Sequence, residues 1–194
     1  MIGNILPDLM RVRPNLANEQ DHQSWHPEIW AGVRNHRRVD AFTDTHWVFA
    51  RTRARLRPDH GRYASILVDL LYDHCLANAW RDYHTQSLES FIAGVHDRLD
   101  AHHHLMPEPM ARIAPRMTSQ NWLGMYRDDA GLSVILDMMS RRLTQRLARP
   151  VDLTSAVTTL GTHRQGIMDD FHTFFPALIR YIRPEASTGV FAEV

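Results

Sequence analysis

The sequence predicts an all-α fold in a single domain, and three observations carry that reading. Alternating β-branched runs closed by Asn-Gly or Asp-Gly turns are almost absent. Apolar residues recur at helical spacing, as in Ile66, Leu67, Leu70, Leu71, Cys75 and Leu76. Glycine is sparse, at 9 of 194 residues, and no repeat or low-complexity linker divides the chain. One domain is the default at this length, and a chain this long buries roughly 70% of its unfolded surface without a disulfide or metal to hold its core. The expected domain is 1–183, with 184–194 as a frayed tail.

Taken in order, the pattern predicts a short helix over residues 2–12 and a helix from Pro27 through Ile29, Trp30, Val33 and His36, with a bend beginning near Phe42 and Thr43. A helix over 46–56 is expected to end before Pro58, because the residue ahead of a proline is pushed out of the helical region. Helices follow over 62–79 and 88–104. Pro107, Pro109 and Pro115 mark a loop or short helical turns. Further helices fit 121–126, 132–147 and 153–181, the last with a break at Pro176.

Hydrophobic residues make up 44% and charged residues 23%, an ordinary globular balance that excludes a disordered chain, collagen and a coiled-coil rod. The 22 basic and 22 acidic residues cancel, which argues against a nucleic-acid binder. Every basic residue is Arg, whose planar fork grips phosphate and carboxylate, although high genomic G+C accounts for the preference over Lys more readily. Cys75 is the only cysteine, so no internal disulfide forms and a reducing cytoplasm fits. The first residues lack the long apolar stretch of a signal peptide, and no apolar run approaches the 18 residues a membrane span needs. The 13 histidines are the one large anomaly, and they raise the question of a metal site.

Two segments carry the chemistry. In Asn35-His36-Arg37-Arg38-Val39-Asp40-Ala41-Phe42-Thr43-Asp44, His36, Asp40 and Asp44 stand at i, i+4 and i+8, on one helical face if the helix runs that far. Imidazole with two carboxylates suits Mn, Mg, Fe or Zn; a solvated polar face explains the spacing as well. Arg37 and Arg38 lie alongside and could hold phosphate charge. In the second segment, Asp69 and Asp73 share a face within an apolar run, next to His74. Either a cation joins these like charges, or both face water while Leu67, Leu71 and Cys75 face the core. Two such His/Asp helices are the general architecture of a helical metal-dependent phosphohydrolase, in which the metal polarises a phosphoryl oxygen and generates hydroxide. His102, His103 and His104 point in different directions on a helix and make a poor metal site, and Cys75 reads as a small core residue.

With these residues in place the chain resembles the acyl carrier protein phosphodiesterase family, a divergent branch of the HD-domain phosphohydrolases. The matching pieces are Gly3-Asn4-Ile5-Leu6-Pro7-Asp8, then Gly32 to Asp40 with Thr43-Asp44, and Asp69-Leu70-Leu71-Tyr72-Asp73-His74. Trp122 to Arg127, Met139-Ser140-Arg141-Arg142 and Phe171-His172-Thr173-Phe174-Phe175-Pro176 follow in the family's order. The resemblance implies an HD-like helical fold and a divalent metal, Mn in type with Mg, Fe or Zn possible. It implies hydrolysis of the phosphodiester joining 4′-phosphopantetheine to a serine of acyl carrier protein. It also implies Asp8, His36, Asp40, Asp73 and His74 as metal-site residues, with Asp44 and Asp69 as second choices; Asp8, Asp40, Asp73 and Arg37 would be catalytic, and Arg37 and Arg38 would bind phosphate. A nucleotide substrate for the same chemistry, or a non-catalytic carrier-protein-binding module, are the alternatives. The carrier protein implied is acidic and helical. Because this chain is neutral overall, docking would need a local basic patch, and Arg51 with Arg55 and Arg142 with Arg146 share helical faces that could supply one.

Overall fold

The computed structural model describes residues 27–182, and all regular structure among them is helical. The helices are α1 (Pro27–Thr45), α2 (Trp47–His60), α3 (Ala64–Asn78), α4 (Trp80–Tyr83), α5 (Leu88–Ala101), α6 (Glu108–Ser119), α7 (Asp129–Leu147) and α8 (Ala156–Ile182). Single 3₁₀ turns lie at Gly61–Tyr63, His103–Leu105 and Gly124–Arg127. The helix expected over residues 2–12, Asp8 within it and the tail from Pro184 lie outside the described residues. None of the described helices is long and apolar enough to cross a membrane.

Prolines misplace several predicted boundaries. α2 continues through Pro58 to His60, keeping Leu56 and His60 buried. The stretch holding Pro109 and Pro115 is one 12-residue helix, α6. Pro109 falls in its first turn, where a missing N–H costs nothing because that donor has no intrahelical partner. α8 runs unbroken past Pro176, with Phe171, Phe174 and Leu178 buried on either side of it. In each case burial of the apolar stripe outweighs the loss of one backbone hydrogen bond. α1 likewise continues past Phe42 to Thr45, because Phe42 is held between the rings of Tyr181 (4.7 Å) and Phe174 (6.0 Å). The break comes at His46, whose extended backbone starts α2 and whose side chain accepts the Val48 N–H. The expected helix over 121–126 is instead the 3₁₀ turn, after Asn121 adopts a positive φ of 49°.

The main core is built from α2, α3, α7 and α8 around Phe49, Leu56, Leu67, Leu71, Leu136, Leu160 and Phe171. A second, smaller cluster joins Ile29 and Val33 of α1 to Val95 and Leu99 of α5 and to Met110 and Ala114 of α6. α2 and α8 run antiparallel: Phe49 meets Phe174, Thr52 meets Asp170 and His60 meets Thr159. Asp170 is 1% exposed, and it accepts from Thr52 Oγ1 at 2.8 Å and from Arg55 Nε at 3.2 Å, and pairs with Arg51. Thr52 Oγ1 is also hydrogen-bonded to the Tyr72 hydroxyl of α3 at 2.7 Å. Gly166 leaves room for the Arg55 guanidinium, since a Cβ there would lie 3.2 Å from its Cζ. The buried His60 Nε2 is hydrogen-bonded to Thr159 Oγ1 at 2.8 Å.

Two stability predictions follow from this seam. Replacing both Arg51 and Arg55 with Met leaves the Asp170 carboxylate buried without a cation, and should cost about 3–5 kcal/mol in urea denaturation; an unchanged midpoint would refute the pairing. Burial lowers the His60 pKa below its ordinary 6.5, with Asp59 opposing. The folded state therefore prefers the neutral ring, so its contribution is complete above about pH 6.5 and is lost as pH falls further. The melting temperature should drop between pH 7.5 and 5, and His60→Gln should flatten that slope; a parallel slope in both proteins would show that His60 is not the titrating group.

Candidate active site

α1 brings His36 and Asp40 together as their spacing requires. His36 Nε2 lies 3.2 Å from Asp40 Oδ2, with the His side chain 16% and the Asp side chain 58% exposed. One turn on, Asp44 is also exposed. Arg37 is half-buried, and Arg38 turns to α8, where its Nη2 donates to the Tyr181 carbonyl at 3.1 Å and its guanidinium lies over the Tyr181 ring.

On α3 the two aspartates and the histidine separate. Leu67, Leu71 and Cys75 have no exposed surface, whereas Asp69 and Asp73 are exposed, so the carboxylates lie on the water side of this helix. His74, one residue and 100° further round, is 3% exposed. Burial also pushes the Cys75 thiol up to about 12, in keeping with an inert core residue.

His74 meets groups that its neighbours in sequence give no hint of. Its Nδ1 lies 2.8 Å from the Tyr126 carbonyl, in the 3₁₀ turn. Its Nε2 faces Arg164 Nη1 of α8 at 3.4 Å and Asp129 Oδ1 of α7 at 3.6 Å. Arg164 Nη2 in turn donates to both Asp129 oxygens, at 2.9 and 2.7 Å, and both of these side chains are about half exposed. The trio thus reaches from the core to solvent. Burial is the main cause that lowers the His74 pKa, and the Arg164 cation adds to it against the Tyr126 hydrogen bond and Asp129. The Arg164 hydrogen bonds hold the Asp129 carboxyl below its ordinary range. A charged partner set of this kind in a half-open site is where functional groups concentrate.

Among the described residues no group of three or more His, Cys, Asp or Glu side chains is placed to hold a metal ion. The structure assembles pairs instead, His36 with Asp40 and His74 with Asp129, and Asp8 lies outside the described residues. The triple histidine disperses: His102 Nδ1 donates to the Arg98 carbonyl and His103 Nε2 to the Ala111 carbonyl, both at 2.9 Å. The two arginine faces also differ. Arg51 and Arg55 are committed to the buried Asp170, while Arg142 and Arg146 are exposed on α7, beside an open groove lined by Asp137, Arg141, Thr144, Gln145, Asp152 and Thr154.

The turn that delivers the Tyr126 carbonyl depends on Gly131. The Asp128 carboxylate caps α7 by accepting the Gly131 N–H at 2.7 Å, and a Cβ on Gly131 would collide with the Met125 carbonyl. Since that neighbour is backbone, it cannot swing aside. Gly131→Ala should therefore lose about 1–3 kcal/mol of stability by denaturant titration; a variant as stable as the parent would show the close approach is not required.

Comparison with known proteins bears on this site. The acyl carrier protein phosphodiesterase family model matches residues 1–178. Among curated proteins, the acyl carrier protein phosphodiesterase of Photorhabdus laumondii is 32% identical over 73% of this chain and 69% of its own length. That of Yersinia pestis is 28% identical over 93% of this chain and 88% of its own, and that of Escherichia coli O6:H1 is 27% identical over 91% and 86%. No solved structure matches. With a match running through α1, α3, the 3₁₀ turn, α7 and most of α8, this chain belongs to the acyl carrier protein phosphodiesterase family.

Proposed function

We propose that the protein hydrolyses the phosphodiester joining 4′-phosphopantetheine to a serine of acyl carrier protein. Water adds to phosphorus, the bond to the serine oxygen breaks, and that oxygen takes up a proton. The products are apo-carrier protein and 4′-phosphopantetheine. The observation that carries this reading is the family match over residues 1–178, which includes every segment holding a candidate site residue. An HD-like arrangement is part of the same reading, supported by the all-helical fold, and so is a cytoplasmic location, supported by a lone, buried cysteine.

A divalent metal, Mn or else Mg, Fe or Zn, is the proposed cofactor. When bound it would supply a Lewis acid for the phosphoryl oxygen and a water of lowered pKa. His36 and Asp40 fit such an ion in donor type and in their 3.2 Å separation. As the described residues hold only pairs, the proposed ligand set of Asp8, His36, Asp40, Asp73 and His74, with Asp44 and Asp69 in reserve, draws on Asp8 as well. His36 and Asp40 are its best-supported members, because the outward nitrogen of His74 faces the Arg164 cation. Arg37 and Arg38, on the same helix as that pair, are proposed to bind the phosphate.

The direct test incubates holo-carrier protein with the enzyme and Mn and weighs the product. Loss of the phosphopantetheine mass is expected, and an unchanged mass rejects the substrate. Asp40→Ala and Asp73→Ala should each lower turnover by orders of magnitude with helical circular dichroism retained. Near-normal turnover at full metal occupancy in both would remove these residues from the site.

For the acidic partner, the exposed Arg142 and Arg146 are the proposed docking patch, and Arg51 and Arg55 are the weaker choice because their guanidinium groups hold Asp170. Reversing Arg142 and Arg146 to Glu should raise KM for carrier protein and weaken its salt dependence, with hydrolysis of a small phosphodiester unchanged. An unaltered KM would rule the α7 face out.

A further inference from the structure

His74 is hydrogen-bonded on both ring nitrogens to groups whose roles chemistry fixes. A backbone carbonyl only accepts, so the nitrogen 2.8 Å from Tyr126 carries the proton. A guanidinium only donates, so the nitrogen 3.4 Å from Arg164 carries the lone pair. The Asn78 amide nitrogen donates to the His74 carbonyl at 2.8 Å and lies nearly equally far from the two ring nitrogens, 3.5 and 3.4 Å, so it does not choose between them. The Tyr126 carbonyl and the Arg164 donor together select the tautomer with the proton on Nδ1.

We propose that Arg164 and Asp129 are positioning residues that, with the Tyr126 carbonyl, present His74 as the neutral Nδ1–H tautomer with its Nε2 lone pair toward the solvent side of the site. Asp129 matters because it fixes Arg164: both oxygens engage one guanidinium nitrogen, at 2.9 and 2.7 Å, which leaves Nη1 aimed at the imidazole. Arg164 matters because its Nη1 donor lies 3.4 Å from Nε2 and calls for a lone pair there, while the Asp129 carboxylate, 3.6 Å from the same nitrogen, is engaged by the Arg164 guanidinium. Whether His74 takes part as a ligand or as a base, it needs that lone pair, and either partner group opposite it can exchange for substrate or cation without the ring turning. Each of the four participants comes from a different element: α3, the 3₁₀ turn, α7 and α8.

The consequence for turnover rests on the hydrolase reading above, but the tautomer does not, so the two can be tested apart. Imidazole ¹⁵N resonances of His74 are recorded in the full chain at pH 8 with no metal added. The parent should show a protonated-type Nδ1 and a pyridine-type Nε2. Arg164→Met, which keeps the apolar stem and removes the donors, should move the Nε2 resonance and admit the other tautomer. In the hydrolysis assay it should lower kcat about 10–100-fold with KM little changed. Asp129→Asn, which keeps one acceptor for Arg164, should fall between. Should Arg164→Met not fold, Arg164→Leu, which likewise removes the donors, carries the same measurement. A parent that shows Nε2–H, or a folded Arg164 variant that loses stability while both nitrogen resonances stay where they were, overturns the proposal. The expected ¹⁵N pattern in a protein that leaves holo-carrier protein intact would uphold the positioning and reject the substrate.

Discussion

A carboxylate withdrawn almost wholly from water needs cations and donors at fixed places, and Asp170 sets those places for three helices at once. Arg51 and Arg55 stand one turn apart on α2, so both guanidinium groups reach it from the same face, and Thr52 between them passes the contact on to Tyr72 of α3. Apolar packing in this seam is permissive about sliding by a turn, since leucines and phenylalanines exchange contacts at little cost. The ion pairs are not permissive, because a one-turn slip would bury a charge without its partner. The register of α2 against α8 therefore follows from polar groups within a largely apolar interface, and Gly166 is small where the Arg55 head crosses.

That register carries over to the candidate active site. α8 supplies Asp170 to the seam and, less than two turns earlier, Arg164 to His74. α3 supplies Tyr72 to the seam and His74 to the site, two residues on. The same two helices thus anchor both the buried network and the half-open one, and the second inherits its precision from the first. The site sits on helices and on a 3₁₀ turn that leads into the capped start of α7, so packed elements set the backbone positions of its residues.

Much of this was readable from residue order. Helical periodicity marked most of the elements, but in α3 it left open whether Asp69 and Asp73 meet across a cation or face water; both are exposed, and Leu67, Leu71 and Cys75 are fully buried. The His36–Asp40 contact was legible because i,i+4 neighbours on a helix meet whatever the tertiary fold does. Proline rules failed at Pro58, Pro115 and Pro176, where burial of flanking apolar side chains overrode a local preference. The partners of His74 were not legible, because residues 126, 129 and 164 reach residue 74 only through folding. Trp122 to Arg127 stood out as a motif, yet what matters from it here is a backbone carbonyl, and no side-chain pattern announces a carbonyl. The partner that Arg51 and Arg55 share was not legible for a related reason: Asp170 lies more than a hundred residues further along the chain.

Cys75, the chain's single thiol, is a built-in reporter. As the only thiol, fully buried and held at a pKa near 12, it cannot react with an alkylating reagent while α3 is docked. Any modification must pass through an opened state that frees α3 from α2 and α8, so the labelling rate of the unmodified protein measures the free energy of that opening. Since Cys75 follows His74 directly, the opening that exposes the thiol also dismantles the candidate active site, and one sulfur atom counts how often that happens.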